Sequence, residues 1–156
     1  MSDRYINFAN SDLGRRLVGA VGLPQPARLE RWEAGRLRPV EGTLLLGGGP
    51  LAAKVADFGQ RLTAEVVGFA DESLGLPAWV AGLGSKLKAV VFDASHLDDI
   101  DQLKQLREFF QPLLRSLDRS AHVVILGRPP EQLDAVLARV AQRALEAVSY
   151  THLTLP

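Results

Sequence analysis

The run Lys88–Glu146 reads KAVVFDASHLDDIDQLKQLREFFQPLLRSLDRSAHVVILGRPPEQLDAVLARVAQRALE. Leu87 to Phe92 is a short apolar run that closes on Asp93, the pattern of a buried strand. Ser95-His96-Leu97-Asp98 fits a capping box. The helix it predicts carries Ile100, Leu103, Leu106, Phe110, Leu113, Leu114 and Leu117 at spacings of three and four. Pro112 sits inside that pattern and should kink it, at a cost of roughly 3 kcal/mol in an ordinary helix interior. Ala121 to Leu126 is a second strand, and Gly127-Arg128-Pro129-Pro130 is a turn. A last helix places Leu133, Val136, Leu137, Val140, Ala144 and Leu145 on one face. Strand, helix, strand, helix implies parallel pairing with right-handed crossovers.

The same alternation extends upstream. Thr43 to Leu46 is apolar and runs into Gly47-Gly48-Gly49-Pro50, which suits a strand buried on both faces of a parallel sheet. Pro50 fits the first turn of a helix to about Leu62, with Leu51, Val55, Phe58 and Leu62 in register. Glu65 to Phe69 is a further strand. Asp71 to Ser85 is rich in turn residues, with one helical turn expected at Pro77–Val80. The expected fold is α/β: three layers, helix–sheet–helix, on a parallel sheet of strand order 2-1-3-4. Residues 1–40 read as a helical arm. Within it, Ser11-Asp12 caps a helix to about Val21, Pro24 and Pro26 stop it, a short turn spans Leu29 to Ala34, and Trp32 pins the arm to the body. Residues 41–147 read as the α/β domain.

Residues 148–156, VSYTHLTLP, break the helical pattern at Ser149. They can be encoded by GTC TCT TAT ACA CAT CTG ACG CTG CCG, which resembles a transposon-end sequencing adapter read in frame. The expectation is that the natural coding sequence is interrupted at about Ala147, and that Tyr150 and His152 carry no function. A native stop codon after Pro156 at the genomic locus would refute this.

Composition excludes several function classes. Lys+Arg and Asp+Glu both total 18, so no electrostatic case exists for nucleic acid or an anionic membrane. The absence of cysteine excludes a disulfide scaffold, a thiolate metal site and a thiol nucleophile. No apolar run approaches the roughly 20 residues that span a bilayer, and Met1-Ser2-Asp3-Arg4-Tyr5 has no signal-peptide core. The expectation is a cytoplasmic protein without nucleic-acid or membrane partners.

Three constellations could carry chemistry. Gly47-Gly48-Gly49-Pro50-Leu51-Ala52 matches G-x-G-x-x-A between a strand and a helix. Gly47 and Gly49 are therefore candidate cofactor-binding residues, and Asp71, after the second strand, is a candidate ribose ligand. Pro50 lacks an N–H where a phosphate would need one, and a tight strand-to-helix turn uses glycines without any ligand. Asp93 with His96 could form an acid–base pair, but no nucleophile has a defined relation to them, and both suit a cap or turn. His96, His122 and His152 have no metal-ligand spacing, so no metal site is expected.

The chain resembles the N-terminal region of the long, two-domain 3-oxoacyl-(acyl-carrier-protein) reductases of the short-chain dehydrogenase/reductase superfamily. The resemblance spans about Asp3 to Ala147. It is carried by Leu23-Pro24-Gln25-Pro26 with Leu29-Glu30-Arg31-Trp32, by Gly42-Thr43-Leu44-Leu45-Leu46-Gly47, and by Val91-Phe92-Asp93-Ala94. Phe109 to Leu117 (FFQPLLRSL) and Ala141 to Glu146 (AQRALE) complete it. It implies a Rossmann/flavodoxin-like N-terminal domain that is not catalytic. A C-terminal reductase domain would carry TGxxxGxG, serine, tyrosine and lysine, and reduce a 3-oxoacyl thioester with NADH or NADPH. Matching AQRALE to the superfamily's lysine-led helix puts Gln142 at the lysine and Ala138 at the tyrosine. Gly127 then falls near the catalytic serine, and Phe92-Asp93-Ala94-Ser95 takes the place of the NNAG turn.

On this resemblance no catalytic residue lies in the chain. NADH or NADPH, and acyl carrier protein or acyl-CoA as substrate carrier, belong to the missing domain. The implied role is structural: packing on the chain's own reductase domain and shaping a homodimer in an oxidoreductase of fatty-acid metabolism. Further strands would follow the last helix, so the sheet expected here is incomplete at its C-terminal side and exposes an edge strand. Two other classes remain open: a self-sufficient nucleotide- or flavin-binding protein that uses Gly47 to Ala52, and an interaction module with no enzyme attached.

Overall fold

The computed structural model of the chain describes residues 7–8, 10–22, 34–35, 40–62, 65–68 and 81–153. Pro24, Pro26, Trp32, Asp71 and the helical turn expected at Pro77–Val80 lie outside the described residues. The chain divides into two units, Met1–Arg31 and Trp32–Pro156.

In the first unit, helix α1 spans Asp12–Val21. Ser11 is its N-cap: its Oγ accepts a hydrogen bond from the Gly14 N–H at 3.1 Å. Gly22 ends it in the left-handed region at φ 72°, and its N–H returns to the carbonyls of Gly19 and Val18. Both ends agree with the reading of Ser11-Asp12 as a cap and of Val21 as the last helical residue.

The second unit is the α/β domain. Strands β1 (Thr43–Gly48), β2 (Glu65–Gly68), β3 (Leu87–Asp93) and β4 (Leu117–Leu126) form one sheet of order β2-β1-β3-β4. Every pairing is parallel. The expected fold class and strand order are therefore those observed. All seven residues of β3 are buried, which is what a doubly covered central strand requires.

Alternation along β3 separates two apolar layers. Val90 and Phe92 point to one face, where they meet Leu45 together with Leu106, Phe109 and Leu113 of helix α3 (Lys104–Leu113) and Leu145 of helix α4 (Val136–Leu153). Ala89 and Val91 point to the other face with Leu44 and Leu46, against Ala52, Val55 and Ala56 of helix α2 (Leu51–Leu62). Phe92, Phe109 and Phe110 form an aromatic trio with ring centroids 4.7 to 5.9 Å apart. Complete burial of Leu45 and Leu87 contributes about 1.5–3 kcal/mol each.

Three local expectations are corrected. Ser95 does not cap the helix after β3. A 3-10 turn at Ile100–Leu103 comes first, and Asp99 caps it by accepting from the Asp101 N–H at 3.0 Å. Ser95 instead belongs to the turn that the Asp93 carboxylate organises. Pro112 does not kink a helix running to Leu117. It sits one residue before the end of α3, and Leu114–Ser116 tighten into a 3-10 turn. Proline there still withholds the N–H that would reach the Glu108 carbonyl, and the α-helix ends one residue later. Helix α4 continues to Leu153, past the break expected at Ser149, since no Gly or Pro interrupts the chain before Pro156.

The fourth strand also begins four residues earlier than the expected Ala121. Its regular pairing starts at His122, opposite Ala89, while Leu117 pairs with Leu87. Asp118 to Ala121 bulge between these points, with Ser120 at φ 55°. Lys88 holds the bulge. Its ammonium is buried, donating to the Arg119 carbonyl at 2.7 Å and to Asp118 Oδ2 at 3.2 Å. At the same end of the sheet, Thr43 Oγ1 donates to Glu65 Oε2 at 2.6 Å and ties β1 to β2. Lys88→Met keeps the aliphatic stem and removes the charge-assisted bonds. It should destabilise the domain by about 1–3 kcal/mol in urea unfolding, whereas Lys86→Met should change little.

Candidate functional site

Open parallel sheets bind ligands outside the carboxyl ends of their strands, where the strand order reverses. Here the chain passes from β1 outward to β2 and later returns to β3 on the other side, so the reversal lies between β1 and β3. The loop Gly47–Pro50 and the loop Asp93–Leu97 meet at that point. The sequence candidates Gly47 and Gly49 are therefore at the site the architecture favours. Asp71 lies outside the described residues.

Among the described residues, backbone donors at this point are engaged by the protein's own groups. The Gly49 N–H donates to the Asp93 carbonyl at 2.9 Å, and the Ala52 N–H to the Gly49 carbonyl at 3.2 Å. Pro50 has no N–H to offer. The Leu51 N–H, at the start of α2, donates to Asp93 Oδ2 at 2.6 Å. The other carboxylate oxygen, Oδ1, accepts from the Ser95 N–H at 2.9 Å. Asp93 thus provides the negative charge that a helix N-terminus attracts. The donors that would cradle a phosphate on this turn are already engaged.

The glycines have internal causes. A methyl group on Gly47 would strike the Phe109 ring, coming within 2.6 Å of its Cζ. Gly48 adopts φ 94°, and a side chain there would press into the Asp93 backbone at 2.8 Å from its nitrogen. On Gly49 a methyl group would meet the His96 ring and come within 2.8 Å of Asp93 Oδ2. Close approach by β3, its loop and α3 is sufficient reason for the three-glycine turn.

His96 does not act with Asp93 as a hydrogen-bonded acid–base pair. Its Nε2 lies 3.0 Å from Gln105 Oε1, while its Nδ1 is buried and makes no hydrogen bond. Asp93 is fully buried. Burial is the largest single influence on its carboxyl and pushes the pKa up. The Ser95 hydroxyl and N–H, the Leu51 N–H and the field of His96 together outweigh it, so the pKa falls below the ordinary 3.8. The side chain is a fixed anion, and a proton acceptor held below its ordinary pKa is a weak general base.

Gln142 closes the neighbouring end of the sheet. It is 2% exposed, and α4 carries it in over the loops that follow β3 and β4. Its Nε2 donates to the carbonyls of Ala94 and Leu97 at 2.9 and 2.8 Å, and its Oε1 accepts from the Arg128 N–H at 2.8 Å. Gly127 packs against it: a methyl group there would lie 2.9 Å from Oε1. Ala138, one turn earlier, is buried. The structure therefore brings Gln142, Gly127 and the Asp93–Ser95 turn together. What they form is a bracket of amide hydrogen bonds around a neutral side chain. Sequence reading missed this role. The available signal was a polar residue inside the apolar stripe Ala138, Ala141 and Leu145, which demands buried partners.

Among the described residues, no cluster of three or more His, Asp or Glu side chains is placed to hold a metal ion. No helix among them is long and apolar enough to cross a membrane. The class that fold and site define is a three-layer, parallel α/β domain of Rossmann/flavodoxin-like kind in which, among the described residues, Asp93 takes the Leu51 N–H at the start of α2 and the Gly49 N–H of the glycine turn. No protein-family model matches the chain, and no curated protein matches it in sequence.

Two outcomes test these assignments. Gln142→Leu leaves the Arg128 N–H and the carbonyls of Ala94 and Leu97 without their partner. It should cost about 3 kcal/mol or more in chemical unfolding. For Asp93, a lowered folded-state pKa means a stabilising contribution that is full above the ordinary carboxylate range. That contribution fades as pH falls through the folded-state value. Thermal midpoints measured from pH 6 down to about pH 2 should drop more steeply for the wild type than for Asp93→Asn.

Proposed function

We propose that this chain is the N-terminal, non-catalytic α/β domain of a two-domain NAD(P)H-dependent 3-oxoacyl-(acyl-carrier-protein) or acyl-CoA reductase. Its role is to pack on its own C-terminal reductase domain and shape the dimer of an oxidoreductase of fatty-acid metabolism. The observation that carries this reading is the engagement of these donors by the protein's own groups. Asp93 occupies the start of α2, and Gln142 bridges the loops where the superfamily's lysine would act. A domain that did redox chemistry itself would need the turn open for a pyrophosphate and a lysine to lower a tyrosine's pKa. Ala138 and Gln142 supply neither a proton donor nor a charge. Hydride transfer therefore belongs to a separate domain, which would bind NADH or NADPH and the acyl carrier.

The internal occupants also weigh against the self-sufficient nucleotide- or flavin-binding alternative. A dinucleotide on the Gly47–Ala52 turn would have to displace a buried carboxylate from its hydrogen bonds with Leu51 and Ser95.

Titration of the purified chain with FMN, NADH and NADPH, followed by fluorescence and calorimetry, should show no binding tighter than about 10 μM. Tighter binding would sink the structural role. The continuation of the gene beyond Ala147 should encode TGxxxGxG and YxxxK within one further domain, and their absence would remove the reductase assignment.

A further inference from the structure

We draw no further inference here: the strongest candidate, the buried side-chain nitrogens His96 Nδ1 and Arg128 Nε in the loops after β3 and β4, which make no hydrogen bond, carries nothing, because both belong to the site already described and nothing among the described residues shows what they would bind.

Discussion

Asp93 is the residue on which the arrangement of the domain converges. It ends the central strand, and both its carboxylate oxygens and its carbonyl are engaged. Oδ2 takes the first N–H of α2, Oδ1 takes Ser95, and the carbonyl takes Gly49. The strand end, the glycine turn and the helix start are thereby one hydrogen-bonded unit. Many sheets of this architecture leave that position for a ligand phosphate. Here the anion is covalently bound into the protein, so it carries no entropy of association and cannot leave. The site is organised by the same electrostatics that would bind a ligand.

Gln142 has the complementary role at the next strand outward. Its amide offers two donors and an acceptor, and the loops after β3 and β4 present two carbonyls and an N–H to match. A lysine at this position would offer only donors and would bury a charge beside the Arg128 N–H. Glutamine fits because the environment is neutral and mixed. The neutral, mixed amide of Gln142 is what lets α4 lock two loops in place.

The fold was legible because β3 and its neighbours are written in continuous apolar runs. Val90 and Phe92 on one face, and Ala89 and Val91 on the other, need a cover on both sides, and the alternating helices supply it. The boundaries were harder to read. Leu117 to Ser120 looks like the tail of a helix, yet the Lys88 ammonium captures Asp118 and Arg119 and draws those residues into an irregular strand. Capping was misassigned for a similar reason. Ser95 and Asp99 are equally good caps locally, and only the demand of Asp93 for the Ser95 N–H decides between them. The site was legible as a place but not as a state. Gly47, Gly49 and Asp93 mark the reversal of strand order, whereas the contact of Asp93 with Leu51 joins residues 42 positions apart, which local spacing does not reveal.

The bracket built by Gln142 also bears on how the chain matures as it is made. Its bonds reach back 48 residues to Ala94 and 45 to Leu97. At ribosomal speeds of about 5–20 residues per second, those carbonyls leave the ribosome roughly 2–10 s before the helix that will satisfy them. During that interval β1, β2 and β3 can pair and Asp93 can seat on α2, while the loop after β3 stays hydrated and open. The emergence of α4 is the event that dries this end of the sheet. The last helix therefore acts as a timed closure, and the first half of the domain must remain soluble without it.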